Sequence, residues 1–197
     1  MDRRCEQCPT PLPTMARRHA RYCSARCRQV ASRARRRAAA AALPRALVER
    51  DRWVRHSPTK VPLTTTGRPA SSTDATTWST YATAATSRVG AGLGLVLDGD
   101  GLVCLDLDHC LTPDGHARSW AQPLLDQLPA TYIEVSPSGD GLHVWGYGDL
   151  AHGRRLVYGA GTVEVYGAGR YITVTHRPWH RAPSQLADLS AVLAELL

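Results

Sequence analysis

Apolar positions in this chain fall into short runs separated by turn residues, and the spacing of the runs changes along the chain. Residues 93–97 (Leu93-Gly94-Leu95-Val96-Leu97) and 102–108 (Leu102-Val103-Cys104-Leu105-Asp106-Leu107-Asp108) read as strands. Between them, the Asp-Gly repeats of Asp98-Gly99-Asp100-Gly101 predict a tight hairpin turn. Strands at 132–136 and 142–146 flank the turn Pro137-Ser138-Gly139-Asp140-Gly141, and strands at 162–166 and 170–175 flank Gly167-Ala168-Gly169. Helical spacing takes over at 119–128, where Trp120, Leu124, Leu125 and Leu128 share a face, and at 184–197, with Leu186, Leu189, Val192, Leu193 and Leu196. A further helix starts near Thr73-Asp74 and runs to about Ala85, carrying Trp78 inward. Residues 46–70 read as a short helix or strand followed by an extended loop. This mixture of helices with antiparallel hairpins predicts an α+β fold rather than a doubly wound sheet.

Charge divides the chain in two. Residues 1–45 hold 12 Arg against Asp2 and Glu6; the rest holds 12 Lys+Arg against 15 Asp+Glu, so a strongly basic head precedes a mildly acidic body within the net +7. Pro44 marks the junction, giving expected domains of 1–43 and 46–197. A basic head of this kind engages nucleic acid more often than an anionic membrane. No window offers the roughly 20 apolar residues of a membrane span, and Met1-Asp2-Arg3-Arg4-Cys5 leads into no apolar signal segment. The expectation is a cytoplasmic protein whose cysteines are metal ligands or core residues rather than disulfides.

In the head, Cys5-x-x-Cys8 and Cys23-x-x-x-Cys27 form two pairs that could supply four thiolates to a tetrahedral Zn²⁺. Few apolar residues lie in 1–30, so a structural metal is the expected folding device, with free thiols in an unstructured tail as the competing reading. A helix from Ser24 to about Ala42 follows. Its Arg28, Arg33, Arg35, Arg36 and Arg37 wrap around the helix instead of lining one face, which suits nonspecific phosphate contact or a merely solvated helix.

The body carries the candidate chemistry. Asp106 and Asp108 lie two apart on a strand and so project from one face. Two neighbouring carboxylates are costly unless a cation or a shared proton offsets them, and Mg²⁺ favours such oxygen ligands; a solvated strand end is the alternative. The turn at Ser138, Gly139 and Gly141 could cradle phosphate oxygens with backbone N–H groups, and His143 could donate to the same phosphates. Glu164, among apolar strand neighbours, needs a partner, either a metal shared with the aspartates or solvent at an edge. Arg170, just past the Gly-Ala-Gly turn, is expected cross-strand from Glu164, reaching a phosphate or pairing with the glutamate.

In order and spacing, Asp-Leu-Asp, then Ser-Pro-Ser-Gly-x-Gly-Leu-His-x-Trp, then Val-Glu-Val-Tyr-x-x-x-Arg-Tyr-Ile-Thr-Val-Thr resemble the three motifs of the primase-polymerase domain of the archaeo-eukaryotic primase superfamily, of phage and plasmid type. Lys60-Val61-Pro62 and the Thr73-Asp74 segment are similar to that family's entry region, and the resemblance covers about residues 50–178. It implies that Asp106, Asp108 and Glu164 bind two Mg²⁺ or Mn²⁺ ions, that His143 contacts the incoming nucleotide's phosphates, and that Lys60 and Arg170 serve the nucleotide. Glu164 stands where many members have Asp, one methylene shorter. The implied activity is template-directed nucleotidyl transfer on single-stranded DNA from nucleoside triphosphates, in phage or plasmid replication. Relatives usually carry a C-terminal helicase or helical domain, so a separate helicase is an expected partner. The competing classes are a non-catalytic nucleic-acid-binding accessory or regulator and a metal-dependent nuclease.

Overall fold

A computed structural model describes residues 3–17, 19–180 and 182–197, with the backbone alone for 35–42. The chain divides into two compact units, Met1–Ala42 and Leu43–Leu197.

The first unit is a cysteine-bearing loop region leading into helix α1 (Ala25–Ala42). Arg4 and Pro11 form an isolated bridge. The Glu6 N–H donates to Arg21 O at 3.0 Å, and the two side chains form an ion pair at 2.7 Å. Ser24 Oγ accepts the Cys27 N–H at 3.2 Å and so caps the start of α1. Among described hydrophobic residues here only Cys5 and Ala31 are buried, so apolar packing alone cannot hold this unit together.

The second unit begins with α2 (Arg45–Val48), β1 (Trp53–His56), β2 (Pro62–Leu63), a 3₁₀ turn (Ala75–Thr77) and α3 (Tyr81–Thr86). It continues with β3 (Gly92–Asp98), β4 (Leu102–Asp108), α4 (Gln122–Gln127), β5 (Ile133–Val135) and β6 (Leu142–Tyr147). It closes with β7 (Arg154–Tyr158), β8 (Gly161–Tyr166), β9 (Ala168–Val174), β10 (Ala187–Asp188) and α5 (Ser190–Leu196). The strands form a smaller sheet, β2-β1-β3-β9, and a larger one, β10-β6-β4-β8-β7, in which β5 also pairs with β6. All pairings are antiparallel except β10 with β6. The fold is α+β, as the sequence pattern predicts.

The alternation along β4 decides the layering. Val103, Leu105 and Leu107 face a core shared with Leu124 of α4 and Val192 and Leu193 of α5. Leu102 and Cys104, on the opposite face, meet Leu93, Leu95, Leu97, Ile172 and Val174 of the smaller sheet, together with Trp53, Tyr132 and Trp145. The larger sheet is therefore sandwiched between helices and the smaller sheet. Leu105 is fully buried; Leu105→Ala should cost about 3 kcal/mol of stability, read by chemical denaturation.

Two expected hairpins are absent. β3 and β4 do not pair, nor do β8 and β9; at both places the chain crosses from one sheet to the other. β3 and β4 are buried on both faces over much of their length, so they stack across the core instead of lying side by side. Asp98 and Asp100 serve this crossing: Asp98 pairs with Arg52, while Asp100 lies 2.8 Å from Arg50 and 3.0 Å from Arg52. Gly99 adopts φ +90° and its N–H donates to Gly167 O at 3.0 Å, so the two crossings brace each other. Arg170 accordingly pairs in register with Leu97 of β3, not across from Glu164.

Smaller differences have local causes. The expected helix at 184–197 starts at Ser190, because Ala187–Asp188 pairs with β6 and Asp188 Oδ1 accepts the Ser190 N–H at 2.9 Å. The helix expected from Asp74 is interrupted: Asp74 caps only the 3₁₀ turn, and Thr80 caps α3. β7 escaped the pattern because Arg154, Arg155 and Val157 are all exposed on an edge strand. Among described residues no helix is long and apolar enough to cross a membrane.

Candidate functional site

Along β4 the face that buries Leu102 and Cys104 continues to Asp106 and Asp108, so the chain passes from a dry inter-sheet core to a polar site on one strand. Register then builds a row across the larger sheet. Asp106 lies opposite Glu164 of β8 on one side and opposite His143 of β6 on the other. Glu164 lies opposite Arg155 of β7, and His143 opposite Glu134 of β5. Five charged or polar side chains from five adjacent strands thus share one face.

Each member has a defined setting. Glu164 Oε1 lies 3.1 Å from Arg155 Nε, and Tyr166 donates its hydroxyl to Glu164 Oε2 at 2.5 Å. His143 Nε2 stands 3.7 Å from Asp106 Oδ1, while its Nδ1 is 3.4 Å from Glu134 Oε1. Asp106 Oδ1 is buried and has no hydrogen-bond partner. Burial pushes the Asp106 carboxyl above its usual range; Asp108 and Glu164 push the same way, against the pull of His143 and Lys60. An orphaned buried oxygen amid three carboxylates is a setting that a bound cation would satisfy, so these residues fit divalent metal. The carboxylates are nonetheless spread out: among described residues, only the four cysteines bring ligand atoms all within 4.8 Å of one another.

A cavity of about 380 Å³ opens beside this row, lined by Asp106, His143 and Tyr166 and by Lys60, Arg170 and Tyr171 of the smaller sheet and its loop. Lys60 sits at φ +61° in the β1–β2 connection, and its carbonyl accepts the Tyr171 hydroxyl. The Tyr171 ring lies against Gly94, where an added Cβ would come within 2.5 Å of it. The Arg170 guanidinium stacks over the Tyr166 ring at 4.8 Å. Five predicted residues therefore gather here: Asp106, His143, Arg170 and Lys60 around the cavity, and Glu164 in the row beside it. Asp108 is exposed, one step further along β4.

The Ser138–Gly141 turn is not among the residues lining the cavity. It joins β5 to β6 and folds against the end of β4, where a Cβ on Gly141 would meet Leu107 O at 2.9 Å. Gly139 takes φ +92° and its N–H donates to Ser136 O, and Ser138 donates to Asp140 at 2.6 Å. Asp140 in turn lies 2.6 Å from Nδ1 of His109, the residue after Asp108.

Glu134 was not singled out by the sequence reading. An acidic residue within Tyr132-Ile133-Glu134-Val135, directly ahead of the glycine turn, was its only signal. Cys104 and Cys110 are buried, as expected of core thiols.

In the first unit, the sulfurs of Cys8, Cys23 and Cys27 are 3.6–3.7 Å apart, and Cys5 completes the cluster. A tetrahedron with zinc–sulfur bonds of about 2.3 Å has edges of about 3.8 Å, so four thiolates so placed fit zinc. Burial pushes the Cys5 thiol up, but backbone N–H groups of Cys23, Gln7 and Cys8 outweigh it and bring it down to about 6. Hydrogen bonding with Cys8, with burial and the other sulfurs, holds Cys23 up at about 12. Beside the cluster, a cavity of about 660 Å³ is lined by Arg17, His19, Arg21, Tyr22 and Arg28. Arg28 and Arg33 are exposed on α1, while the side chains of Arg35, Arg36 and Arg37 lie outside the described residues.

These features meet two likenesses to known proteins. The family model described as bifunctional DNA primase/polymerase, N-terminal, matches residues 12–190. The chain is also 41% identical over 133 residues to the DNA primase-polymerase of Nitratiruptor phage NrS-1, a match that takes in 62% of this chain and 18% of that protein. The family match spans most of the chain and contains the whole row from Glu134 to Glu164, so the chain belongs to the bifunctional DNA primase/polymerase N-terminal family.

Proposed function

We propose that this chain catalyses template-directed nucleotidyl transfer at the cavity beside Asp106, extending or starting a DNA strand. The observation that carries this is the Glu164–Asp106–His143 row with its orphaned Asp106 oxygen, set against a cavity that also presents Lys60 and Arg170. Asp106, Asp108 and Glu164 would hold divalent Mg²⁺ or Mn²⁺. Such ions, when bound, activate a 3′-hydroxyl and offset the charge of a triphosphate. His143, Arg170 and Lys60 bind phosphate oxygens and stabilise the negative charge that develops on the leaving pyrophosphate. Arg155 and Tyr166 fix the Glu164 carboxylate from either side. Stacking under Arg170 holds Tyr166 at the cavity wall. The Ser138–Gly141 turn supports the end of β4 from outside the cavity.

In the head, Cys5, Cys8, Cys23 and Cys27 would hold a structural zinc. The basic cavity around Tyr22 and the exposed Arg28 and Arg33 suit the backbone of a single-stranded template. Phosphate contacts of this kind are sequence-blind and weaken steeply with salt.

The test is incubation of the full chain with single-stranded template, an annealed primer, labelled nucleoside triphosphates and Mg²⁺ or Mn²⁺. Growth of a labelled product is the expected result. Binding without product supports a non-catalytic accessory instead, and loss of template without triphosphates supports a nuclease; either overturns the proposal.

A further inference from the structure

Glu134 is fully buried, and the metal and phosphate roles above leave it without a task. A buried carboxylate is costly unless its oxygens are matched by donors. One oxygen is fully matched here: Oε2 accepts from the Thr175 N–H, the Thr175 hydroxyl and the His176 N–H, each at 3.0 Å, with the Tyr132 hydroxyl at 3.4 Å. Thr175 and His176 follow β9 of the smaller sheet, so these bonds tie the two sheets together beside the cavity. Among the described residues the other oxygen, Oε1, faces only His143 Nδ1, at 3.4 Å.

A joint between sheets would not by itself need the second oxygen to be an acceptor. The imidazole gives that oxygen its purpose. His143 is 3% exposed, so water cannot orient its ring. A carboxylate oxygen accepts, so Glu134 Oε1 can take a hydrogen bond from Nδ1–H and leave Nε2–H free to donate to Asp106 or to a phosphate oxygen. The opposite nitrogen, Nε2, is then the one turned toward Asp106 and the cavity.

We infer that Glu134 is a positioning residue for the nucleotide site: its Oε1 fixes His143 by Nδ1–H and aims Nε2 at the phosphate-binding cavity. The inference rests on the reading of that cavity as a triphosphate site. The geometry is that of a histidine oriented by a carboxylate behind it; for metal-binding histidines the loss of such a partner typically costs about 10- to 100-fold in activity.

Glu134→Gln separates positioning from mere support. Its carbonyl can keep the bonds from Thr175 and His176, but its amide then turns N–H toward Nδ1, which must accept, so the ring loses the Nδ1–H bond that holds it. Nitrogen NMR of the His143 ring should find hydrogen on Nδ1 in the native chain and none on Nδ1 in the variant. The kcat/KM for nucleotide incorporation should fall about 10- to 100-fold in Glu134→Gln. The same substitution in a His143→Ala background should change it by less than about twofold, because its effect passes through the ring. A native His143 ring with no hydrogen on Nδ1 overturns the inference, even if the variant does not fold. So does a full loss that persists without His143. A native chain that incorporates no nucleotide defeats the reading of the cavity, while the NMR result still decides the Glu134–His143 pairing by itself.

Discussion

Asp106→Ala should abolish nucleotide incorporation while leaving the body folded. The carboxylate sits at the centre of the row, between Glu164 and His143, with one oxygen buried and unpartnered. Losing the metal anchor proposed at that position should remove several kcal/mol of transition-state stabilisation, which corresponds to a fall of at least about 10³-fold. Stability should move the other way or not at all. Burial raises the Asp106 carboxyl in the folded chain. A carboxyl raised on folding binds protons more tightly when folded, so it weakens the fold as pH rises through its folded value. Above that folded value the penalty is fully present, and alanine removes it. Extension of a labelled primer and a thermal melt of the same preparations check both halves. Appreciable extension by the variant would remove Asp106 from the metal set.

Zinc withdrawal has the second largest expected effect, confined to the head. Structural zinc sites bound by thiolates are worth roughly 10–16 kcal/mol in small peptides at neutral pH. Apart from the cysteine cluster, the first unit has few buried groups and a handful of backbone bonds to oppose unfolding. Metal analysis should find one zinc per chain, and both a strong chelator and Cys8→Ser should abolish it. Residues 3–24 should then become sensitive to protease. The second unit, which owns both apolar cores, should keep its thermal transition. Acidification should release the metal as well, because protons compete with it for the sulfurs. A chain that resists protease equally with and without chelator would show that the head folds by other means.

The sequence carried the site better than the topology. Asp106, His143 and Glu164 were legible because a strand with period two places a charged residue among apolar neighbours only where something must meet it. Their mutual register was not, since it depends on which strands become neighbours. Asp98-Gly99-Asp100-Gly101 illustrates the difficulty. Its composition suits a tight turn, yet its aspartates are spoken for by Arg50 and Arg52, about fifty residues away in sequence, and the chain changes sheets there. Alternation reports which face of a strand is dry; it does not report whether the next strand lies beside it or behind it. Arg170 was misplaced for that reason and still reached the cavity, from the smaller sheet. Glu134 was hidden for the opposite reason: with the β5–β6 hairpin correctly read, counting back from His143 across the turn reaches it, but its oxygens are claimed by residues beyond β9.

The central position of β4 has a dynamic consequence. Its backbone is bonded on both sides, to β6 and β8, and its apolar side chains are shared by both cores. Segments of that kind open only when the whole domain unfolds, whereas exposed connections open locally and often. Asp106 is therefore carried by one of the slowest-opening parts of the fold, whereas Lys60 sits on the exposed β1–β2 connection. Nucleotide entry and product exit can be served by breathing of the Lys60 side of the cavity, without disturbing the spacing of the acids that face it.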